Sequence, residues 1–262
     1  MKINSRTAEF LRKLIWIFII IACWELIRNA GNISPLLMPS VLSIVRSLLK
    51  SFIEGSLLRQ TLFSLLLVGS GLAGGAILAV LFVFLSVKSK FLNSLVNLLI
   101  SVFHPLPGIA LLPIIILWIG TGAGAILCII IHSVVWPMTT NLKTGYQSIP
   151  QVYLLSARNF EIPPGSVFFR IIIPGSMPYM ISGIKIGWAR SWRALISAEM
   201  IFGAAAGAGG LGWFIYSRRV FMDSQGLFAG LCIVIAIGIL VERFCIKRLE
   251  ENTVKRWGIS IG

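Results

Sequence analysis

Long apolar stretches separated by short polar segments dominate the pattern along this chain. They predict six membrane-crossing helices, over residues 11–29, 58–87, 91–118, 121–145, 176–204 and 226–246. Each stretch comes near or exceeds the roughly 20 residues that a helix needs to cross the hydrocarbon core of a bilayer. We therefore expect an all-α membrane protein with about six transmembrane helices.

The third predicted span is interrupted. Its segment 104–108 reads His-Pro-Leu-Pro-Gly, and proline lacks the N–H group that a helix interior needs. Backbone that leaves the helix at membrane depth must be buried in protein or line a polar cavity, as is typical of transport pathways. His104, Pro105 and Pro107 are therefore candidate pathway residues, although a lone histidine is more often a structural hydrogen-bond donor.

The segment between the first two spans has a different pattern. In residues 39–54, apolar positions at helical spacing lie on one side while Arg46 and Lys50 lie on another, which predicts an amphipathic helix along the membrane surface. We divide the chain accordingly into an N-terminal span with this surface helix (1–57), a core of transmembrane helices (58–250) and a C-terminal tail (251–262).

Composition supports the bilayer as the main solvent. Hydrophobic residues make up 57% of the 262 residues and charged residues 12%, against about 25% charged in soluble domains. The net charge of +14 comes from 23 Lys and Arg residues dispersed between apolar stretches, which favours anionic lipid headgroups over nucleic acid as their partner. The four cysteines lack CxxC spacing, so neither a disulfide framework nor a zinc site is indicated.

The distribution of the basic residues predicts the orientation. With the N-terminus inside, fourteen Lys and Arg residues fall on cytoplasmic segments and six on outer ones. This excess predicts cytoplasmic N- and C-termini. A cleaved signal peptide is the alternative for the first stretch, but Trp24 and Glu25 follow its lipobox-like end, and a retained span is favoured.

Residues 149–174, here called the coupling loop, are too polar at their centre to span and too patterned for a linker. Two short helices separated by Pro163-Pro164-Gly165 fit the pattern, with Pro174 ending the second. The loop resembles that of the permeases of binding-protein-dependent ABC importers, which reads E-A-A-x3-G-x9-I-x-L-P. Ala157, Ile171 and Pro174 match this motif, and Ser156 and Ile173 are mild substitutions.

Two positions of the loop depart from the family motif. Leu155 stands at the glutamate position and Glu161 at the turn glycine. We expect Gly165, after two prolines, to supply the chain reversal instead.

The resemblance covers nearly the whole chain. It is closest to nitrate, sulfonate, taurine and bicarbonate permeases, which carry stretches similar to 105–107, 110–113, 117–120, 173–178, 182–187, 192–193, 198–200 and 210–212. It implies the type I importer (MetI-like) permease fold in the inner membrane. It also implies a homodimer, two ATPase subunits that use ATP and Mg, a solute-binding protein, and no cofactor bound by this chain.

A short helix on the cytoplasmic surface can insert into a groove of an ATPase, with apolar anchors and polar contacts. The residues that we assign to ATPase coupling on this basis are Leu154, Leu155, Ser156, Ala157, Arg158, Phe160, Glu161, Gly165, Ile171 and Pro174.

The fifth predicted span carries four ionisable residues: Lys185, Arg190, Arg193 and Glu199. At 100° per residue, Lys185, Arg193 and Glu199 project within about 120°, and Arg190 lies about 60° beyond Arg193. All four are candidate pathway residues, because charges in a span usually face a cavity or a partner. Arg190 and Arg193 either line a path for a small anion or bind backbone carbonyls, headgroups or a second copy. Glu199 is expected to make interhelical hydrogen bonds.

Three classes of function remain. No GxxxxGK[ST] motif occurs in the sequence, so we expect a non-catalytic subunit whose ATP is hydrolysed by another polypeptide. A secondary transporter or channel would not need the patterned loop. A membrane enzyme would need a metal cluster, an activated nucleophile or paired carboxylates, and the sequence shows none of these patterns. The permease of an importer for a small anion is the favoured interpretation, with the solute left open.

Overall fold

A computed structural model describes residues 5–203 and 209–253, and within these ranges every regular element is a helix. The all-α class is therefore confirmed. Most of the predicted tail, residues 254–262, lies outside the described ranges.

The helices follow the predicted stretches closely. They are α1 Ser5–Ala30, α2 Val41–Ile53, α3 Ser56–Lys88, α4 Lys90–Phe103, α5 Leu112–Ile119, α6 Ala123–Gln147, α7 Gln151–Asn159, α8 Pro164–Val167, α9 Ile173–Gly175, α10 Met177–Phe202, α11 Leu211–Val220, α12 Ser224–Leu240 and α13 Lys247–Thr253. A 3-10 turn, Gly108–Leu111, precedes α5, and π-helical turns at Phe168–Ile172 and Val241–Ile246 join α8 to α9 and α12 to α13.

The chain forms two compact units. The first combines the residues up to Leu58 with Phe214–Ile233, and the second combines Arg59–Trp213 with the residues from Val234 onward. Within the first unit, the side chains at the end of α1 bind the backbone before α2: Trp24 Nε1 donates to the Pro39 carbonyl at 3.0 Å. The Val41 N–H donates to Glu25 Oε1 at 2.7 Å. The amphipathic segment is thus helical, while its place on a membrane surface stays a prediction.

The second unit is built around α6, against which α3 and α10 pack through glycines. A Cβ atom added at Gly75 of α3 would lie 2.6 Å from the Val134 Cβ. One added at Gly183 of α10 would lie 3.2 Å from the Met138 Cα. Both distances are below ordinary van der Waals contact, so glycine at these positions allows the close approach of the helices.

Three continuous helical stretches are long and apolar enough to cross a membrane: Ser56–Lys88, Ala123–Gln147 and Ser224–Glu251. Two pairs of helical segments, Lys90–Phe103 with Gly108–Ile119 and Pro164–Gly175 with Met177–Phe202, are each bent at a short break. If each pair forms one span, the number rises to five. The first predicted span, α1, is not among them, because every 18-residue window of this helix carries more than two charged residues, Lys13 always among them. A membrane protein of several spans is confirmed, and the sixth span stays a prediction.

Candidate functional site

The predicted break in the third span is present. After α4 ends at Phe103, the chain leaves the helix through His104 to Pro107, and the axes before and after the break differ by 91°. The two prolines explain this geometry, because neither can donate to a continuing helix. The break forms one wall of a cavity of about 390 Å³ within the second unit, with α6 and α10 as the other walls.

Five of the seven predicted pathway residues line this cavity. His104, Pro105 and Pro107 come from the break, and Arg190 and Arg193 come from α10. Residues almost ninety positions apart in the chain are therefore brought to one site. The remaining two predicted pathway residues, on the same helix α10, do not reach it.

The two arginines give the cavity a positive charge. Both side chains are exposed, and no carboxylate among the described residues lies within ion-pair distance of either one. Arg193 Nε donates to the Ala189 carbonyl of its own helix at 2.9 Å. This bond fits the backbone-binding interpretation, but it uses one of the five N–H donors of the guanidinium and leaves the others for a ligand.

Aromatic rings form a second part of the lining, and sequence reasoning missed them. Phe103 and Trp136 stack with ring centroids 5.2 Å apart, and His132 meets both rings edge-on at 6.2 Å. All three line the cavity. The available signal was the spacing of His132 and Trp136, four residues apart on α6, but in an apolar stretch this spacing is as typical of ordinary packing.

Lys185 and Glu199 lie elsewhere. Lys185 Nζ is 3.4 Å from Glu242 Oε1, with both side chains about half exposed. Glu199 is 1% exposed and accepts hydrogen bonds from Ser64 Oγ at 2.7 Å and from the Gly212 N–H at 2.8 Å. Glu199 therefore connects α10 to α3 and to the start of α11, as expected of an interhelical hydrogen-bonding residue.

In the coupling loop, the chain reversal occurs at Glu161. The Ile162 N–H donates to the Ala157 carbonyl at 3.0 Å and the Glu161 N–H donates to the Arg158 carbonyl at 2.9 Å, a Schellman-type end of α7. Glu161 has φ +52°, which is a left-handed conformation. The family motif has glycine at this position. The expectation that Gly165 makes the reversal is wrong, because Gly165 lies inside α8 and has no positive φ.

The loop contains two short helical segments as predicted, but the second begins at Pro164, inside the Pro163-Pro164-Gly165 segment that was expected to separate them. Pro164 occupies the first position of α8, where its missing N–H costs nothing. The helical path then continues to Gly175, with Pro174 in its last turn, and bends by 69° before α10.

The side chains of the coupling loop divide into two groups. Leu155 is 53% exposed and Phe160 is 79% exposed, and Arg158 and Glu161 are also exposed. Ala157 is buried, and Leu154, Ser156, Ile171 and Pro174 are half-buried. Val152 and Tyr153, which sequence reasoning did not single out, are also exposed. The loop thus exposes four apolar side chains, those of Val152, Tyr153, Leu155 and Phe160. In a segment too polar to span the membrane, such side chains are candidates for contact with a protein partner.

Residues 71–245 match the family of binding-protein-dependent transport system inner membrane components. The chain belongs to this family. It is therefore a multi-pass inner-membrane permease subunit, which confirms the family predicted from the coupling loop.

Several relatives match most of the length of the permease. It is 24% identical to the taurine transport system permease protein of Escherichia coli (strain K12), over 86% of this chain and 82% of the relative. It is 29% identical to a nitrate import permease protein of Synechocystis sp., over 74% of this chain and 69% of the relative. It is 25% identical to a putative aliphatic sulfonates transport permease protein of Bacillus subtilis (strain 168), over 91% and 84%.

Proposed function

We propose that two copies of this permease form the translocation pathway of an ATP-driven importer for a small anion, such as a sulfonate, taurine, nitrate or bicarbonate. The observation that carries the proposal is the pair of arginines, without a carboxylate partner among the described residues, in a cavity beside a broken helix. The names of the relatives support an oxyanion as the solute.

The chemistry of the cavity suits such a solute. Guanidinium groups bind planar or tetrahedral oxyanions with two parallel hydrogen bonds and are weakly hydrated, so they exchange water for an anion at low cost. A transport site must also release its solute. Arg190 and Arg193 are exposed rather than enclosed, and this favours brief binding.

We infer that a second copy of the chain closes the pathway, because the cavity of one copy is open and its arginines are exposed. In a homodimer the cavities of the two copies would face one shared path. The homodimer that the sequence resemblance implies is thus part of the proposal.

Transport in this proposal is driven by separate ATPase subunits, which bind ATP and Mg on the cytoplasmic side, where we also place both termini of the permease. The exposed apolar side chains of the coupling loop would enter a groove of the ATPase. Closure of the ATPase pair would move α7 and, through the bend before α10, alternate access to the cavity. A solute-binding protein delivers the anion from outside.

The test is uptake of radiolabelled taurine, nitrate and an alkyl sulfonate into proteoliposomes that contain the permease with its ATPase and binding protein. Arg190→Gln and Arg193→Gln should each reduce uptake about tenfold or more, since one charge-assisted hydrogen bond contributes about 1.5–3 kcal/mol. Arg46→Gln, on an exposed residue of α2, is the control. Normal assembly with unchanged uptake in both cavity variants would disprove the lining role.

A further inference from the structure

A second, larger cavity of about 570 Å³ lies behind the coupling loop within the second unit. It is enclosed by the end of α3, the end of α6 and the inner faces of α7 and α8. Its volume falls within the about 300–1,000 Å³ typical of sites for small molecules. The exposed side of α7, which carries Leu155, points elsewhere, because Leu155 does not line this cavity.

The interior of the cavity is apolar. Its walls include Val87, Leu154, Ile162 and Phe168. Phe168 is fully buried and its ring meets that of Phe84 edge-on, with centroids 5.0 Å apart. Such a lining favours a hydrocarbon occupant over an ion or a polar metabolite.

Two cations line the same cavity. Lys88 and Arg158 are both exposed, and neither forms an ion pair with a carboxylate in the described part of the chain. An apolar space bordered by two uncompensated cations is complementary to a molecule with an anionic head and a hydrocarbon tail.

The position of Lys88 indicates the source of that molecule. Lys88 is the last residue of α3, one of the helices that is long and apolar enough to cross the membrane. A lysine at the end of such a helix lies at the level of the lipid headgroups. Basic pockets between helices at this depth bind the headgroups of anionic lipids.

We propose that this cavity is a binding site for an anionic phospholipid, with one acyl chain among Val87, Leu154 and Phe168 and the phosphate at Lys88 and Arg158. The lipid would fill the space between the membrane helices and α7, and so support the helix whose opposite side is free for the ATPase. The site does not depend on the proposed solute.

Native mass spectrometry tests the site by counting the lipids that the purified full-length permease retains. The protein is equilibrated with phosphatidylglycerol or phosphatidylcholine of the same chain length. Lys88→Gln should weaken retention of phosphatidylglycerol about fivefold, because one basic residue near an anionic headgroup contributes about that factor. Lys90→Gln, two residues away and outside the cavity, is the matched control and should retain as much as the unmodified protein.

Filling the apolar part tests the acyl chain separately. Val87→Trp should abolish retention of the lipid. Val87→Leu fills less space and should weaken retention, and it keeps the test usable if the Trp variant does not fold. Equal loss in the Lys88 and Lys90 variants would show surface attraction only and overturn the site, as would equal retention of both lipids. Unchanged retention in the folded Val87 variants, or release of the lipid on adding the ATPase, would also overturn it. Uptake is not measured here, so failure of the transport proposal leaves this result unaffected.

Discussion

Replacing Glu199 tests the hydrogen-bonded connection between α3, α10 and the start of α11. Ser64 Oγ lies 2.7 and 2.9 Å from the two carboxylate oxygens of Glu199, and the Gly212 N–H donates at 2.8 Å. Ser64 Oγ in turn accepts from the Leu211 N–H at 2.9 Å. All of these groups are buried, so a donor that loses its acceptor cannot turn to water.

The magnitude follows from the number of donors left without an acceptor. Glu199→Ala leaves the Ser64 hydroxyl and the Gly212 N–H without an acceptor, and each unsatisfied donor lowers the free energy of unfolding by about 1–3 kcal/mol. Relief from burying a carboxylate offsets part of this loss, so we expect the free energy of unfolding to fall by about 2–4 kcal/mol. Glu199→Gln keeps one acceptor oxygen and should cost about 1–2 kcal/mol.

Thermal unfolding of the purified permease in detergent, followed by tryptophan fluorescence, measures these differences. At about 2–4 °C per kcal/mol for a chain of this size, Glu199→Ala should lower the midpoint by about 4–16 °C. Glu242→Gln removes a half-exposed carboxylate that pairs with Lys185 at 3.4 Å, and it should change the midpoint by only about 0–4 °C.

A double-mutant cycle of Ser64→Ala and Glu199→Gln isolates the contact between these two residues. Because they touch, the two changes should be non-additive by about 0.5–3 kcal/mol. Full additivity, or a midpoint for Glu199→Ala equal to that of Glu242→Gln, would refute the reasoning.

Three further predictions concern the loops. Glu161→Gly should raise the free energy of unfolding by up to about 1–2 kcal/mol in the same thermal assay, since it relieves a left-handed non-glycine residue; a lower midpoint would contradict this. Gly210→Ala should lower the midpoint by several degrees, because the new Cβ would overlap the carboxylate of Glu199, while Gly69→Ala, with open space around it, should not. Phe160→Ala should weaken binding of the ATPase at least tenfold in a pull-down titration, as expected for an exposed aromatic anchor; unchanged binding would remove Phe160 from the interface.

The helical architecture could be predicted because it depends on local features. Long apolar stretches and the prolines at 105 and 107 determine the helices and the break regardless of what surrounds them. The reversal at Glu161 could not be predicted, since a non-glycine residue adopts positive φ only where surrounding hydrogen bonds hold it, here those that end α7. Gly165 was the better candidate by residue type alone.

The candidate site was predictable only in part, for a related reason. Helical projection placed Lys185, Arg193 and Glu199 on one face of α10, but each of them meets a different neighbour. Glu242, which pairs with Lys185, and Ser64, which donates a hydrogen bond to Glu199, come from distant parts of the chain. Periodicity shows which residues share a face and does not show which element covers it.

The most direct test of the central claim compares the permease alone with the assembled importer. Proteoliposomes that contain the permease, its ATPase and its solute-binding protein should take up at least one of taurine, nitrate, bicarbonate or an alkyl sulfonate in the presence of ATP and Mg, and that solute should stimulate ATP hydrolysis. Vesicles with the permease alone should take up none of them. Uptake by the permease alone, driven by an ion or solute gradient without the ATPase, would contradict the account.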